Sequence, residues 1–103
     1  MADRHPLPPR RFGISVDFEH GGHNFTGGAG LHENGRIGDV FLHTSKTGQH
    51  LQIVMRDAAI AASFALQHGA DFNKLRASML RNEDGTAAGP LGHLFDILAG
   101  ETE

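Results

Sequence analysis

The sequence predicts an α+β domain: a small N-terminal antiparallel sheet of about three strands packed on a long Ala-rich helix, with one or two shorter C-terminal helices. Three observations predict it. Apolar and polar residues alternate from Phe12 to Glu19 and again from Phe25 to Leu31, and a third segment carries apolar Ile37, Val40, Phe41 and Leu42. From Gln49 to His68 there is no Gly or Pro, and apolar residues recur at helical spacing. The strands come before the helices instead of alternating with them, which gives an antiparallel sheet with helices to one side.

Composition sets the class. A chain of 103 residues is one domain's length. Its 39% apolar and 20% charged residues are those of a globular chain. Cys is absent, which excludes disulfides, thiolate metal sites and Cys nucleophiles together and fits a reducing compartment. The leader MADRHPLPPRR has no apolar run of the signal-peptide kind. No stretch approaches the roughly 20 apolar residues that cross a bilayer. A cytoplasmic protein away from membranes is expected. Net charge is −3, and the only tight basic cluster is Arg4, Arg10 and Arg11, so no nucleic-acid partner is expected.

Residues 1–10 hold Pro6, Pro8 and Pro9 and read as an extended Pro/Arg-rich arm ahead of a single domain over 11–103. In the first strand Phe12, Ile14, Val16 and Phe18 form one face, and Gly21-Gly22 marks a turn after it. The second strand carries Gly27, Gly28 and Gly30, which point to a bulge or to close approach of another backbone. No helix start follows them, as a phosphate-cradling loop requires. Asn34-Gly35 signals a two-residue type I′ hairpin turn. The third strand runs from about Arg36 to His43. Val40 and Leu42 point one way, Ile37 and Phe41 the other, as in a central strand or one with a covered second face.

Thr44 to Gly48 is a polar turn. The long helix then carries Leu51, Val54, Met55, Ala58, Ala62, Ala65 and Leu66 as its stripe, and Gly69 suits a left-handed C-terminal stop. The Ala-rich stretch 58–65 allows close packing by the sheet or by a second copy, so a homodimer is expected. Asp71 reads as the N-cap of a second helix with Phe72, Leu75, Met79 and Leu80 buried. Arg76 and Arg81 fall late, where the helix dipole favours cations. Asn82 to Gly89 reads as a flexible loop. Pro90 opens a third helix with Leu91, Leu94, Phe95 and Leu98 as its stripe.

Few residues carry chemistry. Arg36 and Asp39 on the third strand, with Lys46, Arg56 and Asp57 at the start of the long helix, are the polar candidates for a ligand or a partner. His20 and His23 flank Gly-Gly, so their rings can converge on a metal ion, with His43 or Asp39 as a third ligand. Glu33 and Arg36 can pair across the hairpin. Ser63 lies mid-helix, where a hydroxyl bonds back to a carbonyl, and it lacks the strand-to-helix elbow of a nucleophile. No catalytic residue is assigned.

The segments GGH-x-F, GLHENGRIGDVF, SKTG and MRDAAIAASFALQHGAD, with the following Lys74-Leu75, together resemble the TSCPD domain. The resemblance spans about residues 10–80. It rests on Gly21, Gly22, His23, Gly30, Leu31, Glu33, Gly35, Arg36, Gly38, Asp39, Val40 and Phe41, then on Lys46, Gly48, Asp57, Ala58, Ser63, Ala65, Leu66, Gln67 and Gly69. Phe25-Thr26-Gly27-Gly28-Ala29 departs from the family's aromatic-Thr-Val step, and the Cys of many relatives is missing. TSCPD domains close many adenosylcobalamin-dependent (class II) ribonucleotide reductases and also occur as small stand-alone proteins. The resemblance therefore implies association with ribonucleotide reduction and deoxynucleotide supply, through a large reductase chain or a nucleotide ligand. That reaction needs a large barrel, a thiyl-forming Cys, a reducing Cys pair and a cobalamin site. A Cys-free chain of this size is expected to hold no cofactor, cobalamin belonging to the full-length reductases. The alternative is a small ligand- or metal-binding regulator using His20 and His23.

Overall fold

The computed structural model describes residues 13–44 and 48–102. The expected arm over 1–10 and Lys46 lie outside them. The elements are β1 (Gly13–His20), β2 (His23–Leu31), β3 (Ile37–His43), α1 (Gln49–Gln67), α2 (Phe72–Ala77) and α3 (Pro90–Thr102). The strands form one antiparallel sheet in the order β1-β2-β3, as the alternation predicts.

The two hairpins close differently, and each follows from its glycines. Gly21 and Gly22 have φ of 59° and 84°, so they form a two-residue turn whose left-handed residues match the twist of the strands. Asn34-Gly35 does not form the expected two-residue turn. His32 N donates to Arg36 O at 2.8 Å and Gly35 N to His32 O at 2.9 Å, so the loop holds three residues, Glu33 to Gly35. Only Gly35 needs a glycine, at φ 86°. The Asn34 side chain instead accepts from Arg36 N at 3.0 Å, a local turn bond that competes with the tighter closure.

The β2–β3 register slips by one between Gly30 and Leu31: Gly30 faces Asp39 while Leu31 faces Ile37. The extra residue turns Ile37 onto the core side, where it is 7% exposed, and leaves Phe41 46% exposed outside. This corrects the pairing of Ile37 with Phe41 on one face. Gly28 is where the backbones come close. A methyl group there would sit 2.1 Å from the Ile14 carbonyl oxygen and 2.7 Å from the Phe41 ring.

Phe25, Ala29, Val40 and Leu42 meet Met55, Ala59, Ala62 and Leu66 of α1 and Leu94, Phe95 and Leu98 of α3 in a single core. The stripe of α1 is thus rotated from the expected one: Leu51, Val54 and Ala58 are exposed, and Ala59 takes the place given to Ala58. The reason is where α1 sits. It packs along β3 at the end of the sheet, so β3 is an edge strand and not a central one. Ser63 joins the two: its Oγ accepts from Val40 N at 2.9 Å and lies 3.0 Å from Val40 O and 2.8 Å from Ala59 O. Its single proton goes to one of these two carbonyls at a time. A helix covering an exposed strand edge is one of the standard protections against unwanted pairing.

α1 stops as Gly69 predicts. Ala70 N bonds Ala65 O at 2.9 Å and Gly69 N bonds Leu66 O at 3.2 Å around a Gly69 φ of 99°. Asp71 caps α2, accepting from Asn73 N at 2.8 Å. α2 ends at Ala77, so Leu80 falls beyond it and is 81% exposed instead of buried. Arg76 and Arg81 do more than answer a helix dipole. Both bind Asp96 of α3, Arg76 Nε at 2.8 Å and Arg81 Nη1 at 2.6 Å. Residues 82–89 are a compact turn: Asp84 accepts from Thr86 N and Oγ1, and Arg81 bridges Ala87.

Candidate functional site

The polar candidates fall in three places: the β2–β3 end of the sheet, the outer face of α1 and the tip of the β1–β2 hairpin. At the β2–β3 end, Arg36 is exposed and lines an open cleft of about 450 Å³ with Gly35, Ile37 and residues 69–73. Asp39, three residues on, is half-buried and turned to other work: its Oδ1 accepts from Gly30 N at 3.0 Å and fills the bulge. Arg36 and Glu33 form no ion pair; among the described residues the ion pairs are those of Asp96. Arg56 and Asp57 are exposed on α1, away from the Arg36 cleft. Beside them Ile53, Val54 and Ile60 are exposed by 51%, 49% and 64%. The outer face of α1 is therefore largely apolar with one charge of each sign set into it.

The third place is the tip of the β1–β2 hairpin. His20 and His23 face each other across the ladder, but the ring of His20 is aimed elsewhere. Its Nδ1 lies 3.0 Å from Nδ1 of His93, and its Nε2 lies 3.1 Å from the Ala88 carbonyl oxygen. His93 is also covered by the Phe18 ring, centroids 4.8 Å apart. His23 is exposed. Among the described residues no group of three or more His, Cys, Asp or Glu is placed to hold a metal ion. An open cleft of about 470 Å³ runs from His20 and His93 to Asn82, Asp96 and Ile97.

His93 is the residue that sequence reasoning missed. It comes one turn into α3, and only tertiary packing brings it to a strand tip 73 residues earlier. Asp96 is the other. The Arg81 hydrogen bonds hold its carboxyl down at about 2, against partial burial and with help from Arg76. That triad clamps α2, the 82–89 turn and α3 together, a structural task.

The arrangement is that of a small three-stranded meander with one edge sealed by a helix and with its buried polar groups mostly engaged in holding the backbone. Among the described residues no helix is long and apolar enough to cross a membrane. Comparison with curated proteins relates the chain to ribonucleotide reductases. It is 35% identical over 69 residues, 67% of its length, to a vitamin B12-dependent ribonucleotide reductase of Bradyrhizobium diazoefficiens. It is 37% identical over 67 residues, 65% of its length, to the protein of that name from Agrobacterium fabrum. The aligned segments are 6% and 5% of those proteins, so the chain corresponds to a small part of each. No family model and no solved structure matches it.

Proposed function

We propose that this chain is a TSCPD-type accessory module of ribonucleotide reduction, acting in the cytoplasm in deoxynucleotide supply and docking on a large reductase chain without performing the reduction. One observation carries the reading: two vitamin B12-dependent reductases, far longer than this chain, contain a segment 35–37% identical to most of it. The absence of Cys supports the non-catalytic half, because reduction at a ribose needs thiols that this sequence lacks. Cobalamin, in this reading, stays with the large chain. The outer face of α1 supplies the docking surface. Ile53, Val54 and Ile60 give apolar area, and Arg56 and Asp57 give orientation. Arg36, at its open cleft, is the candidate for a nucleotide phosphate, while Asp39 positions the strand that carries it.

The test is titration calorimetry of this protein against the vitamin B12-dependent reductase of the same host. The wild type binds and shows no reductase turnover alone. Ile53→Asp combined with Ile60→Asp weakens binding at least about tenfold with unchanged helical circular dichroism. Absence of binding by the wild type, or turnover by the pure chain, overturns the reading.

The meeting of His20 and His93 favours a second reading, a small regulator that holds a ligand or metal at the hairpin tip, with His23 beside it. Elemental analysis of untagged protein decides its metal form: metal well below one equivalent ends that form of the reading.

A further inference from the structure

The two edges of the sheet are treated differently. α1 lines the outer side of β3, with Ser63 bonded to Val40. β1, at the other edge, is paired with β2 alone among the described residues. The tight Gly21-Gly22 turn fixes which of its groups are open. Residues flanking a two-residue turn exchange both their backbone bonds, and the pattern then alternates. His20, Phe18, Val16 and Ile14 thus bond to β2. Gly13, Ser15, Asp17 and Glu19 direct N–H and C=O outward, and all four are exposed. The edge runs eight residues without Pro or Lys, and its register with β2 is unbroken from Gly13 to His20. None of the usual devices that discourage strand pairing is built into it except the two acidic side chains.

The inner face of β1 is unfinished as well. Ile14, Val16 and Phe18 are only partly buried at the margin of the core. A neighbour that satisfies both features must bring a strand and an apolar face continuous with this one. Another β1 does both. A two-fold axis perpendicular to the sheet pairs two copies antiparallel and sets inner face beside inner face.

Charge and overlap select the register: centring on Ser15 also avoids like charges but pairs only the stretch from Gly13 to Asp17, whereas centring on Val16 pairs the stretch from Gly13 to Glu19. Because the outward groups fall on alternate residues, only every second register forms bonds. Centring the pair on Asp17 stacks Asp17 on itself, and a further step in the same direction puts it on Glu19. Like charges directly opposite are destabilising. Centring it on Val16 places Ser15 opposite Asp17, Gly13 opposite Glu19 and Ile14 opposite Phe18. No like charges then meet, and the Ser15 hydroxyl can donate to the facing carboxylate.

We propose that β1 is a self-recognition edge: two copies of this chain join β1 to β1 about Val16, making one continuous six-stranded sheet. The surface is at the opposite side of the sheet from α1, so this inference stands apart from docking on a reductase.

The experiment is sedimentation with isotope-filtered NMR on the full chain. The wild type is a dimer, with contacts between the Val16 methyl groups of two copies. Ser15→Pro removes an outward N–H and none of the β1–β2 bonds, a position where edge strands accept Pro. It raises the dimer dissociation constant at least about tenfold while thermal unfolding stays cooperative. Ser15→Asp, facing Asp17 of the second copy, weakens the dimer, and Ser15→Lys at the same site does not. Three outcomes overturn the proposal: a monomer at high protein concentration, a dimer indifferent to Ser15→Pro, or protection of the β1 edge amides only when a reductase chain is added.

Discussion

His20 Nδ1 lies 3.0 Å from His93 Nδ1, and the other nitrogen of His20 faces a carbonyl. A carbonyl only accepts, so His20 Nε2 carries the proton. In the Nε2–H tautomer Nδ1 of His20 is an acceptor, and His93 then donates to it from Nδ1. Long-range proton–nitrogen NMR at neutral pH is expected to show His20 as the Nε2–H tautomer and His93 as the Nδ1–H tautomer. The opposite assignment removes this description of the hairpin tip. His93→Phe keeps an aromatic ring under Phe18 but strands His20 Nδ1, and costs about 1 kcal/mol in denaturant unfolding.

Ser63 is the stitch between α1 and β3. Ser63→Ala leaves Val40 N–H at the covered edge without its acceptor, and is expected to cost about 1–3 kcal/mol by urea denaturation. The amide of Val40 is also expected to exchange faster with solvent in the variant. Unchanged exchange there means the bond does not protect the edge.

Gly27 and Gly28 differ although they are neighbours in β2. Gly28→Ala drives a methyl into the Ile14 carbonyl, which is backbone and cannot swing aside, so a loss of about 3 kcal/mol or more is expected. Phe41→Ala does not rescue it. Gly27→Ala meets the ends of Leu94 at 2.8 Å and Leu42 at 3.2 Å, flexible tips that can move. It costs about 1–2 kcal/mol. Thermal unfolding of the two variants orders them, and the reverse order contradicts the backbone approach at Gly28.

Asp96 predicts an acid limb. Its carboxyl lies at about 2 in the folded chain against 3.8 when free, lowered first by the Arg81 hydrogen bonds. The unfolded chain therefore takes up this proton before the folded one does. The stabilisation is complete above 3.8 and is lost as pH falls through about 2. Allowing for solvent screening of the half-open triad, the loss is about 1 kcal/mol. Urea midpoints across that window measure it. Asp96→Asn flattens that part of the curve, and an unaltered curve means the triad contributes nothing.

Much of this was legible in the chain itself, and what was not has a common cause. Alternation placed β1 and β2, Gly21-Gly22 placed their turn, and Asp71 and Gly69 placed helix ends, because these depend on neighbours in sequence. The misplacements depended on neighbours in space. Ile37 went to the core because of a bulge opposite Gly30. Val54 and Ala58 stayed outside because α1 seals an edge and not a face. Arg76 and Arg81 found Asp96 on another helix. In the candidate site, Arg36, Arg56 and Asp57 are exposed, whereas Asp39 is bound into the backbone and His20 meets a histidine that spacing alone never paired with it.

The hydroxyl bridge at Val40 also limits how large an assembly can become. Sheets open on two sides add chains without end and grow into fibres. Here one side is occupied by the molecule's own helix, so a copy that joins through the remaining side leaves nothing for a third to extend.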